Sequence, residues 1–128
     1  MKRTILLFAL LFYFMGAYAD NLSEAVNSFG KTLTAVIAKE TNGYITEETA
    51  NEYCYSTTIN VPEYCDNELI ILTLSHIIED AEFVTNKPWT AVEDGIISEY
   101  HLGDSAIINF RFDFIRHHLM TLIRPIRD

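Results

Sequence analysis

The sequence is short of most things that would staple, bend or chemically arm a chain. Its 128 residues include two cysteines, three prolines, five glycines and one tryptophan. Cys54 and Cys65 form no CxxC pair and have no histidine beside them, which argues against a zinc site. HExxH, GxSxG and Gly-rich phosphate-binding motifs are all missing, so nothing points to zinc-protease, nucleophile-elbow or P-loop chemistry. Basic charge is nearly absent from the middle. From Glu40 to Asp104 there are fourteen acidic residues and one base, Lys87. Such a surface repels nucleic acid and anionic lipid. After residue 19 the longest apolar stretch, Leu69 to Ile78, is broken by Thr73, Ser75 and His76. It is too short for a membrane span, which needs roughly 20 apolar residues. Repeats, low-complexity tracts and linkers are also lacking, which leaves a single domain.

What is present begins with a leader. Lys2 and Arg3 precede an apolar run from Ile5 to Phe14, followed by Met15, Gly16 and the small-residue pattern Ala17-Tyr18-Ala19. That order is the layout of a secretory signal peptide cleaved after Ala19, and it predicts a periplasmic or secreted protein. No cysteine lies near the cleavage pattern, which argues against a lipoprotein. Cleavage would remove 19 of the 128 residues and leave a domain over residues 20–128, with the formal net charge falling from −9 to −11 as Lys2 and Arg3 depart. No stable membrane insertion is expected afterwards. The sign reverses near the end, where Arg111, Arg116, Arg124 and Arg127 outnumber Asp113 and Asp128. In an oxidising compartment the two cysteines are expected to pair, and a Cys54–Cys65 bridge would contribute about 3 kcal/mol by loop closure.

Spacing in the remaining chain predicts helices. Asn21 and Glu24 form a capping box ahead of Leu22, Val26, Phe29, Leu33, Val36 and Ile37, with Thr41-Asn42-Gly43 as the stop. Thr46 with Glu47 and Glu48 suggests a second helix through Cys54, and Ser56 to Asn60 reads as turn or extended. Glu63 to Val84 is apolar on nearly all sides and reads as a buried central helix. Thr90 and Glu93 look like another capping box, opening a helix that stops at Gly103. Asp104 or Ser105 would cap a final helix to about Ile123. The expected fold is therefore all-α, a small bundle of four to five helices with one disulfide. An α+β fold is the alternative if Leu69–Ser75 and Ile108–Phe114 are strands, and Ile108, Phe110, Phe112 and Phe114 do alternate with polar residues.

Little here carries catalysis. His76, Glu79 and Asp80 would share a helix face, but they lack a second ligand pair. His117 and His118 are neighbours, which point about 100° apart on a helix and so do not chelate together. Ser75 and His76 diverge for the same reason. The expectation is a non-enzyme with no metal and no cofactor. Tyr53, Tyr55 and Tyr64 flank the cysteines among Glu63, Asp66 and other acids, and tyrosines favour binding surfaces. These five residues are the candidate partner-binding set. Trp89 reads as a core plug and Asn21-Leu22-Ser23 as a helix cap rather than a glycosylation site.

In size, export signal, acidity and single disulfide the chain is similar to periplasmic immunity proteins against cell-wall amidases. The likeness is one of class, with no shared motif, and carries over no residue roles. It implies an exported protein-binding module, an inhibitor or immunity-type protein for a basic secreted or periplasmic partner. An accessory subunit of a pilus or secretion apparatus is the alternative, and a small secreted metal-dependent hydrolase a third.

Overall fold

The computed structural model describes residues 22–78, 84–102 and 106–126. The leader, Glu79, Asp80 and the Asn21 cap lie outside them. The first element is the helix that the spacing predicts, α1 over Leu22–Thr41. Val26, Phe29, Leu33 and Ile37 form its buried stripe. Each such side chain contributes about 2 kcal/mol when removed from water. Asn42 ends α1 in the left-handed region, with φ 58°, and the Gly43 amide returns to the Ala38 carbonyl at 2.9 Å.

The rest departs from the predicted bundle. A hairpin follows, β1 (Tyr44–Ala50) and β2 (Tyr55–Asn60), and then α2 (Asn67–Ile78). Four strands close the chain: β3 (Val84–Val92), β4 (Gly95–Leu102), β5 (Ala106–Asp113) and β6 (His118–Pro125). They build one antiparallel sheet in the order β1-β2-β6-β5-β4-β3. The all-α expectation is thus overturned. The α+β alternative is right about Ile108–Phe114, most of which is β5, and wrong about Leu69–Ser75, which is helical.

Each misreading has a physical cause. Thr46-Glu47-Glu48 resembles a helix start, but the segment is rich in β-branched residues and pairs along its whole length with β2. The Thr90–Glu93 box spans the end of β3 and the first residue of the turn after it. Val92 pairs with Gly95, so Glu93-Asp94 is the two-residue turn between β3 and β4, and Asp94 takes a left-handed φ of 62° in it. Helical spacing over Ile108, Phe112, Ile115 and Leu119 arises only because β5, a short turn and β6 follow one another. Within β5 the period is two: Ile108, Phe110 and Phe112 are buried while Arg111 is exposed. In α2, Asp66 caps the helix by accepting the Leu69 amide at 2.9 Å, and Ile70, Leu74, Ile77 and Ile78 turn inward.

The disulfide is overturned as well. Cys54 and Cys65 are free thiols. Cys54 precedes β2 and Cys65 follows it, and the six extended residues of β2, at about 3.3 Å each, put about 20 Å of strand between the ends from which the two cysteines depart. A bridge needs Cα atoms within about 7 Å. Cys65 is instead buried, with its sulfur 3.8 Å from the Thr41 carbonyl oxygen.

Both helices share one core with the inner face of the sheet, made by Tyr55, Ile59, Ile108, Phe110, Phe112, Leu119 and Ile123. Phe110 meets Tyr100 edge-on at 5.7 Å and stacks on the half-buried Trp89 at 6.4 Å.

Candidate functional site

The β1–β2 hairpin is the most distinctive exposed feature. β1 is an edge strand: in the sheet order it pairs with β2 on one side and, among the described residues, with nothing on the other. Every one of its residues is exposed, including Tyr44 and Ile45. Its alternation is set by β2. Tyr55, Thr57 and Ile59 face the core, so their partners Ala50, Glu48 and Ile45 share the inner side, whereas Glu47 and Thr49 lie opposite the outward Thr58 and Ser56. The register slips between Ile45 and Glu47, a bulge at which the Thr46 hydroxyl donates to the Thr58 carbonyl at 3.2 Å.

Two further hydrogen bonds fasten this strand by side chains. The Tyr55 hydroxyl donates to Glu48 Oε2 at 2.6 Å, and Asn60 Nδ2 donates to the Tyr44 hydroxyl at 2.7 Å. Burial first, and then the bond to Glu48, push the Tyr55 phenol up to about 12.

The five residues proposed from sequence divide between the two ends of the hairpin. Tyr53 sits at the tip, 68 % exposed, where Asn51 Oδ1 accepts the amides of Tyr53 and Cys54. Tyr64, Glu63 and Asp66 lie at the opposite end, all exposed, with Asn42 Nδ2 donating to the Tyr64 hydroxyl at 2.9 Å. Tyr55 has no exposed surface; its ring is core. Sequence reasoning missed Tyr44, Ile45, Glu47 and Glu48. The run Tyr-Ile-Thr, closed by a turn at Asn51, was the available signal.

The histidines do not gather. His76 is exposed on α2, His101 Nε2 lies 2.7 Å from Glu99 Oε2, and His117 packs edge-on against Phe112. No three His, Cys, Asp or Glu side chains converge as metal ligands among the described residues. Glu79 and Asp80, proposed beside His76, fall outside them.

On the inner side of the sheet, Thr34 and Thr57 share a hydrogen bond of 3.2 Å, Thr121 is buried beside Thr57 on β6, and Ser98 is buried further across the sheet on β4. The outer face carries a groove of about 580 Å³ across β2, β6, β5 and β4. Cross-strand pairing puts Thr58, Met120, Arg111 and Ile97 in one wall and Ser56, Leu122, Asn109 and Glu99 in the other.

The chain matches no described protein family, no curated protein and no solved structure. Among the described residues no helix is long and apolar enough to cross a membrane.

Proposed function

We propose that the chain is an exported, non-catalytic protein-binding module for a basic partner, acting as an inhibitor or immunity-type protein. Export rests on the leader sequence alone, now that the thiols stand apart. The basic-partner reading is supported above all by β1: a strand exposed at all its positions, at a sheet edge, carrying Glu47 and Glu48. Lys39 and Lys87 bracket a stretch of chain with no other lysine or arginine, so no cation from that stretch neutralises this edge. Cationic partners would be steered toward it, the more strongly at low ionic strength.

The test is affinity capture from the native envelope with the mature chain and its Glu47→Lys variant. The expected result is one basic protein held by the parent and lost from the variant, with a Glu93→Lys control at the β3–β4 turn still holding it. Equal capture by parent and Glu47→Lys would overturn the reading. Sedimentation in a large membrane complex would favour an envelope subunit instead.

A further inference from the structure

We propose that β1 is a docking edge at which an extended basic segment of the partner adds to the sheet as a further strand. The proposal rests on the basic-partner reading and specifies how the partner is held. An edge strand offers a row of main-chain N–H and C=O groups that a second chain can pair with. Proteins commonly blunt such edges with lysine, proline or a covering element. Tyr44–Ala50 contains neither residue, and its full exposure means no described element covers it. It does have a bulge, at Thr46, which leaves the stretch from Glu47 to Ala50 in unbroken register with β2.

Charge selects the occupant. Glu47 and Glu48 project to opposite sides of the sheet. A second copy of the chain pairing antiparallel in registers centred on these residues would set glutamate against glutamate, and like charges directly opposite oppose pairing. A segment with two adjacent cations would instead place one against each carboxylate, above and below the sheet. Glu48 keeps this capacity although Oε2 already accepts the Tyr55 hydroxyl, because a carboxylate has further lone pairs to offer. Flanking β-branched residues would meet Ile45 and Thr49.

A defined probe tests this on the full mature chain. It is a short capped peptide with a central Lys-Arg pair between alternating threonines and valines. Its twin carries methyl groups on alternate backbone amides, which removes strand pairing and keeps the charge. With labelled protein, the parent peptide should shift the amide resonances of Tyr44–Ala50 and slow their hydrogen exchange. Backbone methylation should weaken binding about tenfold or more, and Glu47→Lys should do the same. Glu47→Gln keeps the side chain's shape and should weaken binding less, with both variants keeping the parent's circular dichroism. Equal affinity for the two peptides would overturn strand addition while leaving charge-based recognition of a basic partner intact. Shifts confined to other elements, or no binding of the parent peptide, would also overturn it. So would sedimentation showing a dimer that Glu47→Gln strengthens, because a second copy would then cover the edge.

Discussion

The phenol of Tyr55 donates to Glu48 at 2.6 Å, joining the largest fully buried side chain among the described residues to a strand that is exposed throughout. β1 buries none of its residues and so gains little from the hydrophobic core. Its attachment depends on main-chain pairing with β2 and on the side-chain bonds of Tyr55, Asn60 and Thr46. An exposed edge thus keeps a fixed register beside a rigid core, an arrangement that lowers the ordering cost of binding.

Alkaline pH should loosen this connection. The folded-state value of Tyr55 is raised from 10 to about 12, so the phenol stays protonated longer in the folded chain than in the unfolded one. Its contribution is complete below pH 10 and is lost as pH climbs through about 12. At about 1.4 kcal/mol for each pH step between those values, the ceiling on the loss is about 3 kcal/mol. Water around the exposed Glu48 screens the bond, which brings the expected loss to about 1–2 kcal/mol. Tyr55→Phe should lack this limb of the stability curve. At neutral pH it should cost about 1 kcal/mol, below the usual range for a bond to a charged group, because Glu48 remains open to water. Urea titrations at several pH values measure both effects, and hydrogen exchange should show faster opening of β1 in the variant.

Gly30 sets two effects against each other. In a helix interior, alanine is better than glycine by up to about 1 kcal/mol. At this position, however, an added Cβ would overlap the ring of Tyr55. That ring is fully buried and held at its hydroxyl, so it cannot swing away cheaply. Overpacking costs about 1–3 kcal/mol, and the steric effect should win. Gly30→Ala is therefore expected to lower thermal stability despite the improved helix propensity, and in a Tyr55→Ala background the sign should reverse.

The thiols give a direct reading of the topology. Alkylation in denaturant without reductant should modify both Cys54 and Cys65. In the folded protein Cys54 should react first, because Cys65 is buried and its thiol is pushed up by burial and by neighbouring Asp66. Mass spectrometry at successive times separates the two sites. Protection of both until a reductant is added would show that they pair after all.

How much of this was legible in the sequence varies with how local each signal was. α1 was visible because its apolar stripe and its stop lie within one segment. The Glu93-Asp94 turn was equally local, yet the Thr90–Glu93 pattern competed with it, and only the pairing of β3 with β4 decides the conflict. Tyr55 shows the same limit at the candidate site. Its neighbours Tyr53 and Tyr64 are exposed as a binding surface requires, while strand alternation turns Tyr55 into the core. The cysteines look close because few residues separate them, but six of those residues are the extended strand β2. Sequence separation converts to distance only once the element between is known. Glu47 and Glu48 pointed to the wrong element, since carboxylates in a helix's first turn and on a strand edge look alike in one dimension.

Alanine substitutions along the last third of the chain distinguish strand from helix energetically. Phe110 and Phe112 are both buried, with Arg111 exposed between them. Phe110→Ala and Phe112→Ala should each cost about 3–5 kcal/mol, the range for removing a buried aromatic ring. Arg111→Ala should change stability by less than about 0.5 kcal/mol. Ile115 decides between the periods. A helix would bury it with Ile108 and Phe112, whereas here it lies in the turn after β5, 63 % exposed, with its amide held by Asp113 Oδ1 at 2.9 Å. Ile115→Ala should thus be close to neutral in urea titration. A cost matching that of Phe112→Ala would mean that this segment packs as a helix and that the sheet ends at β4.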